Sequence, residues 1–272
     1  MRGEFVDIGG QRMYYFASGT RGEGVPVILL HGFPTSSRLW QGVVRDFPAG
    51  HRLVVCDLPG FGRSDPSPGA ADCADHAAAV LRLMDDLRIA RACLVGHGLG
   101  GGVAQVIAAH APDRVSHLAL VDSAAFGAAP RRMARLARAL LPLAGMLPPG
   151  LLAGLVQGSV REGFVDPDRS RLTLDTCLHP FTTPIGRDHL VQHLRALRRC
   201  ATTELATPLE ASRIPAAILW GADDPFYPVA LAHRLHAAIP GSTLEIVEDA
   251  RHFLPEDAPE RVLAALTALL RR

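Results

Sequence analysis

The chain of 272 residues contains no lysine: all 28 of its basic side chains are arginine. Schiff-base chemistry, a lysine general base and the lysine of a phosphate-binding P-loop are excluded from the outset, because each needs a primary amine. A charge excess of either sign is lacking too. The 28 basic residues face 27 acidic ones, giving a formal net charge of +1, so composition offers no electrostatic footprint for nucleic acid or an anionic membrane. The five cysteines, Cys56, Cys73, Cys93, Cys177 and Cys200, are odd in number and show no Cys-x-x-Cys spacing. A disulfide framework or a zinc site is not expected from such a set. The amino-terminal residues lack a basic segment followed by an apolar one, and no apolar run reaches membrane-spanning length. The expectation is a cytoplasmic protein with neither signal peptide nor membrane span.

What the chain does have is apolar bulk: 48% of its residues are hydrophobic, enough for a large core, and chains of this length commonly form one domain plus an insertion. Arginine without lysine, beside abundant alanine, points to GC-rich bacterial coding. Short apolar runs predict strands at 5–8, 13–16, 25–30, 53–56, 92–95, 115–121, 217–220 and 244–247. Helical patterns at 37–46, 72–87, 99–110, 229–238 and 259–270 alternate with them, the order expected of a parallel sheet with crossover helices. The alternation is interrupted once, from Ala124 to Ile214, where the pattern is helical and broken by Pro142, Pro148, Pro149, Pro167, Pro180 and Pro184.

Several strand ends carry short motifs. The third strand leads into His31-Gly32-Phe33-Pro34, and the fourth into Asp57-Leu58-Pro59-Gly60-Phe61-Gly62-Arg63-Ser64. The fifth leads into Gly96-His97-Gly98-Leu99-Gly100-Gly101. Later come Trp220-Gly221-Ala222-Asp223-Asp224-Pro225 and Ala250-Arg251-His252-Phe253-Leu254-Pro255-Glu256. In this order the five motifs resemble the α/β-hydrolase superfamily, and specifically its capped branch of epoxide hydrolases, dehalogenases and esterases, over nearly the whole chain. The resemblance implies an α/β fold with a mostly parallel central sheet flanked by helices. Residues 1–123 and 215–272 would form the core and residues 124–214 a helical cap.

By the same resemblance His252 is the general base and Asp224 its orienting acid, with Asp223 as the fallback and Asp122, after the sixth strand, as an alternative location for the acid. The backbone N–H groups of Phe33 and Leu99 correspond to the oxyanion hole. His31, usually structural in this family, His97, Phe126, Phe181 and Phe253 are the candidates for the substrate pocket. No cofactor or metal is implied: His189 and His193 are four apart, but no carboxylate completes a ligand set. The partner expected is a small-molecule substrate, and the oligomeric state is left open. Arg131, Arg135 and Arg138 share a helical face, either solvated or anchoring an anionic substrate group or carrier.

One residue departs from the family pattern. Position 98, where a G-x-S-x-G elbow presents its nucleophile, is glycine. Acyl transfer needs an attacking oxygen, a base, a carboxylate and an oxyanion hole, and the first is missing. Haloalkane dehalogenases want an aspartate followed by tryptophan, where this chain has Gly98 and Leu99; epoxide hydrolases use cap tyrosines, and none occurs between Ala124 and Ile214. Three readings follow. The chain uses His252 and Asp224 for chemistry without a covalent intermediate, such as elimination, cyclisation, C–C bond formation or direct water attack on an apolar carbonyl compound in specialised metabolism. Alternatively it is a serine or aspartate hydrolase inactivated at position 98, or a ligand-binding protein without turnover.

Overall fold

Eight strands form one sheet in a computed structural model that describes every residue except 1–2, 20–23, 68, 70, 198–201, 203–204 and 206–208. They are β1 (Glu4–Asp7), β2 (Arg12–Ser18), β3 (Val27–Leu30), β4 (Leu53–Cys56), β5 (Ala92–His97), β6 (Val115–Val121), β7 (Ala216–Gly221) and β8 (Thr243–Val247). Their spatial order is β1-β2-β4-β3-β5-β6-β7-β8, with β2 antiparallel to both of its neighbours, β1 and β4, and the other five pairings parallel. The central strands are apolar at every position, Val-Ile-Leu-Leu in β3 and Leu-Val-Val-Cys in β4, and wholly buried. Continuous rather than alternating hydrophobicity is what a sheet covered on both faces requires.

The covering helices are α1 (Gln41–Arg45), α2 (Cys73–Asp86), α3 (Leu99–His110), α8 (Ala230–Ala238) and α10 (Pro259–Leu269), each within a few residues of its predicted span. Asp72 and Asp75 form a reciprocal capping box that fixes where α2 begins. A short helix, α9 (Leu254–Asp257), was not foreseen; at four residues it is too brief to leave a period.

Between β6 and β7 lie α4 (Arg131–Leu140), α5 (Pro149–Arg161), α6 (Pro167–Leu178) and α7 (Pro184–Ala196). Prolines that read as breaks are helix openings here: Pro149, Pro167 and Pro184 each stand first in a helix, where the missing N–H costs nothing. This segment is tied to the loops beyond the sheet. The amide of Phe253 donates to the Gly163 carbonyl at 3.0 Å, and His193 Nε2 on α7 donates to the Gly60 carbonyl at 3.0 Å. The His193 ring stacks on Phe61 at 4.1 Å, and burial lowers its pKa to about 4, so the imidazole is neutral at pH 7.

The cysteine expectation needs correction. Cys73, at the start of α2, is disulfide-bonded, and its partner lies outside the described residues, as does Cys200. Cys56, Cys93 and Cys177 are free and buried, and burial raises all three thiols, Cys93 to about 12, which keeps them unreactive.

Candidate active site

The parallel strands deliver their carboxyl ends to one edge of the sheet. Leu30 of β3 pairs with Gly96 of β5, so the loops following these two strands meet where the strand order reverses. That crevice is where open α/β sheets bind ligands. Gly98 turns the chain from β5 into α3 with φ 52° and ψ −117°. The neighbouring glycine is a matter of space: a Cβ on Gly100 would lie 2.4 Å from the Leu30 carbonyl oxygen. At Gly98 the situation differs. A Cβ there would stand 3.5 Å from Gly32 Cα and 3.6 Å from His252 Nε2, ordinary contact distances, so only the left-handed φ resists a side chain.

His252 Nδ1 lies 2.9 Å from Asp224 Oδ2, and both side chains are buried. The other oxygen, Asp224 Oδ1, accepts the amides of Phe226 and Tyr227 at 2.7 and 3.0 Å. A carboxylate held at both oxygens is a rigid partner for the imidazole. Asp223 is exposed, and its amide donates to the Ala250 carbonyl, so of the two aspartates it is Asp224 that meets His252. Among the described residues the amides of Phe33 and Leu99 have no protein acceptor, and Leu99 opens α3, whose first N–H groups are unpaired by construction.

Asp122, just after β6, adds a second carboxyl. Its Oδ1 accepts the Gly221 amide at 2.8 Å, while Oδ2 is buried with no hydrogen-bond partner among the described residues. Burial first, and the neighbouring Asp224 second, hold its pKa well above the usual carboxylate range. The folded protein therefore retains a proton that the unfolded chain releases above pH ~4, and stability falls as pH rises from there. Asp122→Asn removes this titration: in urea unfolding across a pH series, its stability is expected to decline less than wild type between about pH 4 and the folded pKa. Parallel curves would show that Asp122 is ionised in the fold. Donor atoms of Asp122, Asp224 and His252 all fall within 4.8 Å of one another. As a metal set they fit poorly, because His252 Nδ1 and Asp224 Oδ2 already engage each other and burial disfavours the charged form of the third member.

His97 is fully buried behind this pair. Burial, then the neighbouring His252, lowers its pKa well below the ordinary value, so the ring is neutral and donates through Nε2 to the His252 backbone carbonyl at 2.9 Å. Its ring packs 4.6 Å from that of His252. A residue of the elbow thus supports the histidine loop from beneath.

A cavity of about 20 Å³ sits over Gly98, lined by Phe33, Leu99, Met133, Phe226, Tyr227 and Phe253 among others, with His252 the one imidazole among the described residues that line it. Only Phe253 of the five predicted pocket residues lines it. His31 faces away: its Nε2 accepts the Leu58 amide at 2.9 Å and its Nδ1 bonds the Gly32 carbonyl, which fixes the loop carrying Phe33. His97 is spent on the His252 backbone. The half-buried Phe126 lies beneath the Arg234 guanidinium at 3.9 Å, and Phe181 packs edge-on against His193. Met133, Val160 and Leu197 reach the cavity instead, and helical periodicity alone cannot tell such positions from core. The Asx turn Asp224-Pro225-Phe226 was the available signal for the acid, since an aspartate that accepts the amide two residues on has a fixed side chain. Arg131, Arg135 and Arg138 are exposed and do not line the cavity.

Comparison with known proteins agrees with this geometry. The family model described as alpha/beta hydrolase fold matches residues 25–162. An uncharacterized protein of Mycobacterium tuberculosis is 33% identical over 286 aligned positions, covering 92% of this chain and 82% of that one. A 2-hydroxy-6-oxononadienedioate/2-hydroxy-6-oxononatrienedioate hydrolase of Burkholderia vietnamiensis is 28% identical, with 96% and 91% of the two chains covered. Among solved structures, a thermophilic esterase from Thermogutta terrifontis superposes with a TM-score of 0.79 at 26% identity, covering 100% of this chain and 98% of its own. On the matched family model and these relatives, the chain belongs to the alpha/beta hydrolase fold family.

Proposed function

We propose that this chain is an enzyme in which His252, oriented by Asp224, acts as a general base without a covalent intermediate. The carrying observation is the space beside His252 Nε2, where Gly98 supplies no side chain although one would fit. A cavity of about 20 Å³ holds one water molecule, which needs roughly 10–15 Å³ of this kind of volume. His252 takes a proton from that water, or from a substrate C–H or O–H in the same place, and the amides of Phe33 and Leu99 receive the charge that develops on a carbonyl oxygen. Residues 1–123 and 215–272 act as the catalytic core, with 124–214 as a cap that contributes Pro130, Met133, Val160 and Leu197 to the cavity wall.

The substrate class follows from the lining. The similar esterase and oxo-dienedioate hydrolase are named for carbonyl substrates, and among the described residues the cavity lining is mostly apolar and includes no arginine. The favoured substrate is small, apolar and carbonyl-bearing, consistent with elimination, cyclisation, C–C bond formation or direct water attack. The test is intact-mass spectrometry after exposure to a fluorophosphonate or an activated ester. No adduct is expected within residues 96–101; a stoichiometric adduct there would overturn the reading.

A further inference from the structure

Charge in this chain is balanced overall but segregated locally. Between Asp122 and Glu162 there are five arginines and no aspartate or glutamate. Arg132 pairs with Glu162, whereas Arg135 and Arg138, on the exposed face of α4, form no ion pair among the described residues. The opposite face of the helix is buried through Met133 and Ala137, so α4 is strongly amphipathic.

Exposed apolar side chains gather in the same region. Met146 is 83% exposed and Leu143 52%, both in the turn that follows α4, and Leu151 in the first turn of α5 is 50% exposed. Arg187 Nη1 donates to the Gly145 carbonyl at 3.1 Å, which brings the first turn of α7, and with it Ile185 at 71% exposure, against that turn. Soluble proteins scatter exposed apolar residues singly; four on adjoining turns, next to arginines without an ion pair among the described residues, make a patch with a purpose.

We infer that this edge of the helical segment docks on an anionic lipid surface, with Leu143, Met146, Leu151 and Ile185 entering the headgroup boundary and Arg135 and Arg138 meeting lipid phosphates. The apolar face of α4 is used inside the protein, so the contact falls to the exposed apolar residues of the adjoining turns, with the arginines of the solvent-facing side of α4 supplying the attraction to anionic headgroups that interfacial segments rely on. No described helix is long and apolar enough to span a bilayer, so the contact is peripheral. An acidic polypeptide or a nucleic acid would satisfy the arginines but leave Met146 and Ile185 in water. The net charge of +1 hid this surface because it averages over the whole chain. The inference does not depend on the chemistry at His252.

The experiment is co-sedimentation of the full chain with vesicles of phosphatidylcholine alone and of phosphatidylcholine mixed with phosphatidylglycerol. Partitioning is expected into the anionic vesicles only, weakening as salt screens the arginines. Arg135→Gln with Arg138→Gln should reduce partitioning by roughly 30-fold, each arginine near such a surface being worth about a factor of five. Leu143→Ser with Met146→Ser should reduce it about tenfold or more. All four sites are exposed, and circular dichroism checks that each variant is folded. Equal binding to both vesicle types, no binding of the folded wild type, or a wild-type dimer that Met146→Ser dissociates would overturn the inference, the last assigning the patch to a second copy of the chain.

Discussion

Gly98→Ser is expected to release a stoichiometric burst of p-nitrophenol from p-nitrophenyl esters, which the unmodified chain does not. The serine Cβ takes up free space 3.6 Å from His252 Nε2, so its oxygen falls within reach of a base already oriented by Asp224. Leaving-group release should rise at least ~10²-fold, a modest part of the ~10⁶ that the nucleophile contributes in a hydrolytic triad. The φ of 52° that glycine accepts freely costs a serine about 1–3 kcal/mol, so thermal unfolding should shift down by several degrees. The same hydroxymethyl group fills the water-sized cavity, and any nucleophile-free turnover of the wild type should fall. Gain of esterase activity with every wild-type reaction intact would sink the proposed chemistry and identify a hydrolase inactivated at this position. Gly98→Asp makes the corresponding test for an aspartate-dependent ancestor.

The second large effect is read in the Gly98→Ser background, where no knowledge of the natural substrate is needed. His252→Ala should abolish the burst, because no other described base stands beside position 98. Asp224→Asn should slow acylation by ~10²–10⁴, the range for a base that has lost its orienting partner. Asp223→Asn should leave the burst unchanged, its side chain being exposed. Stopped-flow absorbance on the three double variants decides, and a burst that survives His252→Ala removes that histidine from the mechanism.

The sheet and its flanking helices were legible because periodicity reports burial. β4, β6 and α3 have their predicted bounds, and β5 runs two residues further only because Gly96 and His97 interrupt the apolar run without interrupting the ladder. The pairing of His252 with Asp224 was legible through motif order. Pocket residues were not. His31, His97 and Phe181 are buried near the crevice yet point elsewhere, and which way a buried ring turns depends on tertiary contacts that local sequence does not encode. The role of His97 illustrates this: its partner is a backbone carbonyl 155 residues away, and every residue has one of those. The charge segregation escaped because a whole-chain average dilutes it.

His252 is braced by groups that owe nothing to position 98. Asp224 holds its Nδ1, and His97 holds its carbonyl from the end of β5. Asp122 braces the acid loop through Gly221. A side chain at 98 can thus be gained, lost or exchanged without loosening the histidine, and glycine is one base change from either serine or aspartate. The scaffold behaves as a socket whose reaction class is set by a single interchangeable pin, so descendants and ancestors of this chain can change chemistry in one step while folding identically.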